Sequence, residues 1–131
     1  MNTKPTASIL IVEDERLIAI DLQRRLTRLG YTVVALAASG VEAVEKALAL
    51  HPDVVLMDIR LQGAMDGVEA ARQIQASVGI PVVFMTAYVD EETTQRIRDT
   101  SPWGYLHKPF TVQLVQSMLE QVLTGDLPEA R

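Results

Sequence analysis

Charged and hydroxyl side chains stand directly after short apolar runs of this sequence. Glu13 and Asp14 follow SILIV, Asp58 follows DVVLM, Thr86 follows IPVVFM and Lys108 follows GYLH. Mg²⁺ prefers one or two carboxylates together with waters and a phosphate oxygen, so the three acids could supply a magnesium site. An aspartate is also a nucleophile toward phosphorus, and an ammonium and a hydroxyl can bind phosphoryl oxygens. If these residues meet, the sequence predicts Mg²⁺-dependent phosphoryl transfer to Asp58.

The apolar runs are short enough to be buried strands, and each is bounded by polar or turn residues. Between them the apolar residues recur at the spacing of an amphipathic helix. The predicted strands are Ser8–Val12, Tyr31–Ala37, Asp53–Met57, Ile80–Met85 and Gly104–His107. A helix is predicted after each strand.

The helices are predicted from their apolar spacing and their end signals. The first carries Ile18, Leu22, Leu26 and Leu29 and ends at Gly30; the second opens with a Ser39 and Glu42 capping box and carries Val41, Val44 and Leu48; the third opens at Asp66 and Glu69 and carries Val68, Ala71, Ile74 and Val78. The fourth, over 91–100, is very polar, and the fifth, Thr111–Leu123, is expected to turn Leu114, Val115, Met118 and Val122 inward.

Five strand–helix units with nearly continuous apolar strands predict a parallel sheet covered on both faces. The expected fold is α/β, a flavodoxin-like (βα)5 doubly wound sheet of five strands in the order 2-1-3-4-5. In that order the carboxyl ends of strands 1 and 3 are neighbours, so the acids should converge there. We expect one domain over residues 8–124, with a flexible N-terminus at 1–7 and a tail at 125–131.

The composition excludes several classes of protein. With 131 residues the chain can bury a core without cross-links, and the absence of cysteine excludes disulfides and thiolate metal sites. A formal net charge of −5 argues against nonspecific nucleic-acid binding. No apolar run approaches the roughly 20 residues of a membrane span, and the polar start is unlike a signal peptide. We therefore expect a cytoplasmic protein.

In their order along the chain, the strand-end residues resemble a known family. The chain resembles the receiver domain of two-component response regulators over roughly residues 8–124. The matching features are Glu13-Asp14, Asp58 within LMDI, Asp66-Gly67, Thr86 within MTAY, Tyr105, and the Lys108-Pro109-Phe110 triplet. Each is common alone, but the ordered set is specific.

The resemblance implies a role for each site residue. Asp58 would accept a phosphoryl group from a histidine kinase or a phosphotransfer protein. Asp14 and Asp58 would bind Mg²⁺ directly, Glu13 mostly through water, and the backbone carbonyl of Arg60 would be a further ligand. Thr86 and Lys108 would bind the phosphoryl oxygens, and the Lys108-Pro109 peptide bond would be cis.

The resemblance also implies an output. Thr86 and Tyr105 would form a two-state switch that remodels the surface made by helix 4, strand 5 and helix 5, and a downstream protein would read that surface. Direct nucleic-acid or membrane binding is not expected, because the chain has no room for a DNA-binding effector if it is complete. A phosphorylation-dependent homodimer stays open.

The sequence departs from the family pattern after the acceptor. The stretch from Asp58 to Asp66 is one residue longer than usual, and Leu61 and Gln62 stand where a Met-Pro pair is frequent. These differences concern the loop at the site and leave the acceptor in place.

Three further features have a possible signalling role. Arg60 and Tyr88 occupy the two positions that tune phosphoryl lifetime in the family. Trp103 is either a loop aromatic that covers the end of strand 5 or an interface anchor, and His107 either faces the output surface or is an ordinary exposed histidine. Arg24, Arg25 and Arg28 are interpreted as one solvated helix face.

Two other classes of function compete with this interpretation. A Mg²⁺-dependent phosphohydrolase of related fold would need a second acid two residues after the nucleophile, and that place holds Arg60. A pseudo-receiver used only as an interaction module would not need the intact set of Asp58, Thr86 and Lys108. Turnover of a phosphomonoester would favour the first, and failure of labelling by a small phosphodonor would favour the second.

Overall fold

The computed structural model describes residues 6–87, 90–100 and 103–124. The strands are β1 (Ser8–Val12), β2 (Thr32–Ala37), β3 (Val54–Asp58), β4 (Val82–Thr86) and β5 (Gly104–His107); the helices are α1 (Arg16–Arg28), α2 (Gly40–Leu50), α3 (Gly67–Val78), α4 (Glu91–Asp99) and α5 (Val112–Thr124). Tyr88, predicted to tune phosphoryl lifetime, lies outside the described residues. Within the described part, no helix has both the length and the apolar character needed to cross a bilayer.

All five strands pair in parallel in one sheet, in the order β2-β1-β3-β4-β5. The predicted fold class and strand order are therefore confirmed. Val12 is level with Met57, and Thr86 is level with His107. Because the strands run in the same direction and end at similar heights, the residues that follow them share one edge of the sheet.

The sheet separates two apolar layers. One layer packs under α2, α3 and α4 and contains Phe84 and Ile97, whereas the other packs under α1 and α5 and contains Leu106. The central strands β3 and β4 are buried along their whole length, which explains why they read as continuous apolar runs.

The helices differ from the sequence prediction in the residues that face inward. Leu114 was expected to face the core, but it is 48% exposed, so that prediction is wrong; Ile18, Val41 and Leu48 are exposed as well. The fully or nearly buried positions of α1 and α2 include three alanines, Ala19, Ala43 and Ala47. Small side chains let a helix approach the sheet closely, and the larger apolar residues then lie at the edges of the contact.

Candidate functional site

Three carboxylates meet at the carboxyl edge of the sheet. Glu13 and Asp14 follow β1, and Asp58 is the last residue of the adjacent β3. One carboxylate oxygen from each lies within 4.8 Å of the others, while Glu13 and Asp58 are buried and Asp14 is half-buried. The edge of the sheet thus carries a compact acidic cluster, which consists of Glu13, Asp14 and Asp58.

Lys108 bridges two members of the acidic cluster. Its Nζ donates hydrogen bonds of 2.9 Å to Oε1 of Glu13 and of 2.9 Å to Oδ2 of Asp58. The side chain of Lys108 is 21% exposed, and those of Glu13 and Asp58 are 1% and 11% exposed. Because this environment excludes much of the water, the ammonium offsets part of the repulsion between the acids. Asp14 forms no ion pair in the described structure, so the cluster retains excess negative charge.

Burial and hydrogen bonding act in opposite directions on Glu13. Burial raises its pKa, and this effect outweighs the hydrogen bonds from Lys108 and from the amide of Glu15, which stabilise the carboxylate; the nearby negative charge of Asp58 adds to the rise. Burial also disfavours the charged form of Lys108, but its hydrogen bonds to Asp58 and Glu13 prevail and raise its pKa. Lys108 therefore stays an ammonium beside Glu13, whose carboxylate form is disfavoured by burial.

The donor set of the acidic cluster fits a magnesium ion. Oxygens bound to one Mg²⁺ at about 2.1 Å are separated by at most about 4.2 Å, and this ion usually keeps several waters. Carboxylate oxygens within 4.8 Å of one another are close to that separation, so two acids can bind directly and the third through a water. A divalent cation would also relieve the repulsion that Lys108 leaves.

Thr86 and Lys108 border a cleft beside the acidic cluster. Thr86 is buried at the end of β4, and its carbonyl accepts a 2.7 Å hydrogen bond from the amide of Lys108. The cleft has a volume of about 310 Å³ and is lined by Asp14, Glu15, Asp58, Arg60, Thr86, Ala87 and Lys108. Since one water occupies about 30 Å³ in the liquid, the cleft has room for a hydrated cation and a phosphoryl group.

The longer loop after β3 is held near its middle and at the start of α3. Gln62 forms an isolated parallel bridge with Ser39, and Gly63 has a φ of 93°, which glycine adopts without strain. At the start of α3, the amide of Gly67 donates a 2.8 Å hydrogen bond to the carbonyl of Ile59. A Cβ atom at Gly67 would overlap the carbonyl oxygen of Asp58. The Asp66-Gly67 motif therefore has a steric role, because only glycine allows this approach to the acceptor strand.

Tyr105 of the predicted switch and the nearby Trp103 lie on different faces of the sheet. Tyr105 is 40% exposed and is paired with Phe84, whose side chain belongs to the layer under α2, α3 and α4. Trp103 is half-buried and packs against the other layer, under α1 and α5. This position favours the loop aromatic over the interface anchor. His107 is exposed, and its Nδ1 lies 3.0 Å from the carbonyl oxygen of Lys108.

Two further predictions concern local geometry. The Lys108-Pro109 peptide bond is cis, as the resemblance implied. Arg24, Arg25 and Arg28 are exposed on α1, and Arg25 pairs with Asp21 one turn away, as expected of a solvated helix face.

The sequence analysis did not identify Arg96, which reaches the acceptor loop from α4. Its Nη1 donates to Oδ2 of Asp66 at 2.6 Å and its Nη2 donates to Oδ1 at 3.0 Å. The partners are 30 positions apart, and a single arginine on a polar helix gives no signal of a distant partner. Only the packing of α4 against the loop brings them together.

The sequence profile of the response regulator receiver domain matches residues 9–120, which is most of the chain. The chain belongs to the response regulator receiver domain family. Members of this family act as signalling domains in two-component systems, and they typically bind Mg²⁺ for phosphorylation. The strand-end residues described above lie within the matched range.

Curated relatives of this receiver domain are longer proteins. It is 40% identical over 104 residues to the transcriptional regulatory protein PdtaR of Mycobacterium tuberculosis, covering 79% of this chain and 50% of that protein. It is 34% identical over 116 residues to the phyllosphere-induced regulator PhyR of Methylorubrum extorquens, covering 88% of this chain and 43% of that protein. The chain thus spans about half the length of these relatives or less.

Solved structures similar to this receiver domain cover nearly all of it. The signal receiver domain of a modulated diguanylate cyclase from Desulfovibrio desulfuricans G20 is 40% identical, with a TM-score of 0.88 and coverage of 92% of this chain and 96% of that one. The N-terminal domain of a response regulator/sensory box/GGDEF 3-domain protein from Carboxydothermus hydrogenoformans is 39% identical, with a TM-score of 0.82 and coverage of 91% and 95%. The fold is therefore that of solved receiver domains.

Proposed function

We propose that this receiver domain accepts a phosphoryl group on Asp58 in a Mg²⁺-dependent reaction. The observation that carries the proposal is the cluster of Glu13, Asp14 and Asp58, in which Lys108 bridges Glu13 and Asp58 beside an open cleft. A buried group of acids with one ammonium is costly to the fold and is expected mainly at functional sites.

The proposed reaction transfers a phosphoryl group from a phosphohistidine. A carboxylate oxygen of Asp58 forms a bond to phosphorus as the N–P bond breaks, and the electron pair returns to the imidazole, which then takes up a proton. Asp14 and Asp58 would bind Mg²⁺ directly, with Glu13 acting through water and the Arg60 carbonyl as a further ligand. When bound, the ion would neutralise charge on the phosphoryl oxygens.

The other residues of the cleft position and neutralise the new group. Lys108 already bonds to Asp58, so a small shift places its ammonium on a phosphoryl oxygen. Thr86 borders the same cleft from the end of β4 and would donate its hydroxyl to another oxygen. Phosphoryl transfer needs little beyond such positioning and charge stabilisation, so the domain would catalyse only its own phosphorylation and dephosphorylation.

The output would follow from a change around Thr86 and Tyr105. Tyr105 is partly exposed on the face of β5 that α4 covers, so its side chain is open to a change of position. A downstream protein would then read the surface formed by α4, β5 and α5. A histidine kinase or phosphotransfer protein is the expected donor, and a cytoplasmic location is general among response regulators. A phosphorylation-dependent homodimer is the alternative form of output.

Phosphotransfer to purified protein tests the acceptor. The chain, Asp58→Asn and Lys108→Ala would be incubated with Mg²⁺ and acetyl phosphate, and then with phosphorylated candidate kinases. We expect the wild type to be labelled on Asp58 and Asp58→Asn to remain unlabelled. Lys108→Ala keeps the acceptor, so it should still be labelled, but it should lose charge stabilisation of the phosphoryl group or the coupling to output. Mass spectrometry that places the phosphoryl group on Thr86 or on a serine would contradict the assignment.

The same preparations separate the proposal from its alternatives. Sustained turnover of p-nitrophenyl phosphate would indicate a phosphohydrolase, although Arg60 occupies the place of the second acid such an enzyme needs. Absence of labelling by acetyl phosphate and by every kinase tried, with Mg²⁺ bound, would indicate an interaction module.

A further inference from the structure

Helix α4 has a weak apolar attachment to the body of the domain. Its sequence is EETTQRIRD, and Ile97 is its one buried residue, whereas α3 buries five residues. A single buried isoleucine is a small share of the apolar contact that holds the other helices to the sheet. The orientation of α4 must therefore depend strongly on polar contacts.

The strongest polar contact that the structure gives for α4 is the paired hydrogen bond from Arg96 to Asp66. The two bonds measure 2.6 and 3.0 Å, and they join the planar guanidinium to both carboxylate oxygens. Such a fork fixes direction as well as distance. The ion pairs of α1, α2 and α3 described here join residues three or four apart on one helix, so they cannot orient that helix relative to another element.

Asp66 is itself fixed to the backbone of the acceptor strand. Its side chain caps α3 by accepting a 3.0 Å hydrogen bond from the amide of Glu69. The next residue, Gly67, bonds to the Ile59 carbonyl and packs against the carbonyl of Asp58 without room for a side chain. A displacement of the backbone at Asp58 therefore moves the carboxylate of Asp66.

The start of α4 carries an acidic residue whose pKa is influenced by the charge of Arg60 in the same loop. Asp90 caps the start of α4, where it accepts a 2.7 Å hydrogen bond from the amide of Thr93. Bonding from Thr93 lowers the pKa of Asp90, and the positive charge of Arg60 contributes further. The hydrogen-bonded link between α4 and the loop that follows Asp58 is thus the fork from Arg96 in the last turn of α4.

We propose that Arg96 is a positioning residue that couples the orientation of α4 to the loop carrying the phosphoacceptor. The carboxylate of Asp66 binds the guanidinium of Arg96, which fixes the orientation of α4. The position of α4 in the unphosphorylated protein therefore depends on the loop that follows Asp58. The regulatory part of this inference rests on the proposed function, since it names the route by which a change at Asp58 reaches α4. The structural part is independent of phosphorylation.

Hydrogen exchange of the unphosphorylated protein tests the structural part. Arg96→Met removes the guanidinium and keeps helix propensity and bulk, and Asp66→Asn removes the charge and keeps a good helix cap. The matched control is Arg98→Met, an exposed arginine on the same helix. We expect the amides of 91–99 to exchange about three- to tenfold faster in both pair variants, but not in the control, as the strength of such a pair implies.

A double variant and a conservative variant distinguish orientation from simple destabilisation. Asp66→Asn combined with Arg96→Met should exchange no faster than either single variant, because the same contact is already lost. Arg96→Lys keeps the charge without the fork, so it should restore only part of the protection. If exchange in both single variants equals that of Arg98→Met, the proposal is overturned.

Phosphorylation then tests the coupling. After treatment with Mg²⁺ and acetyl phosphate, wild type and Arg96→Met should be labelled equally on Asp58. The change in α4 exchange caused by labelling should be at least threefold smaller in Arg96→Met. An equal change in both labelled proteins would overturn the coupling, whereas an unlabelled wild type would overturn the proposed function and leave the first test valid.

Discussion

The acidic cluster and the Asp66–Arg96 pair both join carboxylates to a basic side chain, but the net effect on the carboxyl pKa has the opposite sign in the two regions. In the cluster, Lys108 serves Glu13 and Asp58 together, and burial still raises the pKa of Glu13. At Asp66, burial also disfavours the carboxylate, yet the hydrogen bonds from Arg96 and from the α3 amides prevail and lower its pKa.

The difference follows from the number of charges and from their exposure. The cluster has three acids and one bridging ammonium in a largely buried site, so its charge is incompletely neutralised until a cation binds. The pair has one acid and one base, each about one-third exposed, and its charges are matched. The cluster is therefore suited to bind a cation, as proposed above, whereas the charges of the pair are already matched.

The largest difference in unfolding free energy is expected when the basic side chain of each region is removed. Lys108→Met leaves three acids without their ammonium, so in chelator it should lower the unfolding free energy by about 2–3 kcal/mol. Arg96→Met removes a partly exposed pair and should cost about 0.5–1 kcal/mol. Urea unfolding of both variants measures the two losses, and equal losses would contradict the distinction between the two regions.

Magnesium should stabilise the domain through the cluster alone. At a concentration ten times its Kd, Mg²⁺ should add about 1.4 kcal/mol to the unfolding free energy, because it binds the folded state. The Tm should rise in the wild type and in Arg96→Met and should not respond in Asp14→Asn. A response in Asp14→Asn as large as that of the wild type would place the ion elsewhere.

Neutralising the acceptor should stabilise the metal-free fold. Asp58→Asn removes one charge from the cluster and keeps an oxygen that can accept from Lys108, so in chelator we expect a gain of about 1 kcal/mol. Asp66→Asn, which breaks a matched pair, should instead lower stability. Chemical denaturation in EDTA compares them; unchanged or reduced stability of Asp58→Asn would refute the electrostatic strain.

The dependence of stability on pH should have opposite signs in the two regions. The pKa of Glu13 is raised above 4.5, so the folded state holds its proton more tightly, and stability should fall as pH rises from 4.5 through the raised value. The pKa of Asp66 is lowered below 3.8, so its contribution is present above 3.8 and is lost as pH falls toward the lowered value. The unfolding free energy is measured against pH in chelator for the wild type, Glu13→Gln and Asp66→Asn. The fall with rising pH should disappear in Glu13→Gln, and the loss toward low pH should disappear in Asp66→Asn. If both pH dependences persist in these variants, the assignments are contradicted.

The smallest effect is expected at Trp103. Because it packs under α1 and α5 and Tyr105 lies on the opposite face, the phosphorylated switch should change its emission only modestly. The change should require Mg²⁺ and acetyl phosphate together, vanish in Asp58→Asn and shrink in Thr86→Ala. A signal that is undiminished in Asp58→Asn would show that Trp103 responds to something other than the acceptor.

The sequence by itself determined the fold and the convergence of the site. Alternating apolar runs and helical patterns specified five parallel strands, and the carboxyl ends of such strands always meet at one edge. Glu13, Asp58, Thr86 and Lys108 each end or follow a strand, so their approach required no knowledge of helix packing. Local periodicity and chain direction are sufficient for predictions of this kind.

Only the tertiary structure decided how these residues are paired. Lys108 contacts Glu13 as well as Asp58, and Arg96 finds Asp66 across 30 positions. The same holds for the orientation of Leu114 and for the face occupied by Trp103. Such contacts depend on the rotation of each helix and on how closely it approaches the sheet, which are set by the packing of many side chains together rather than by the spacing of residues within one segment.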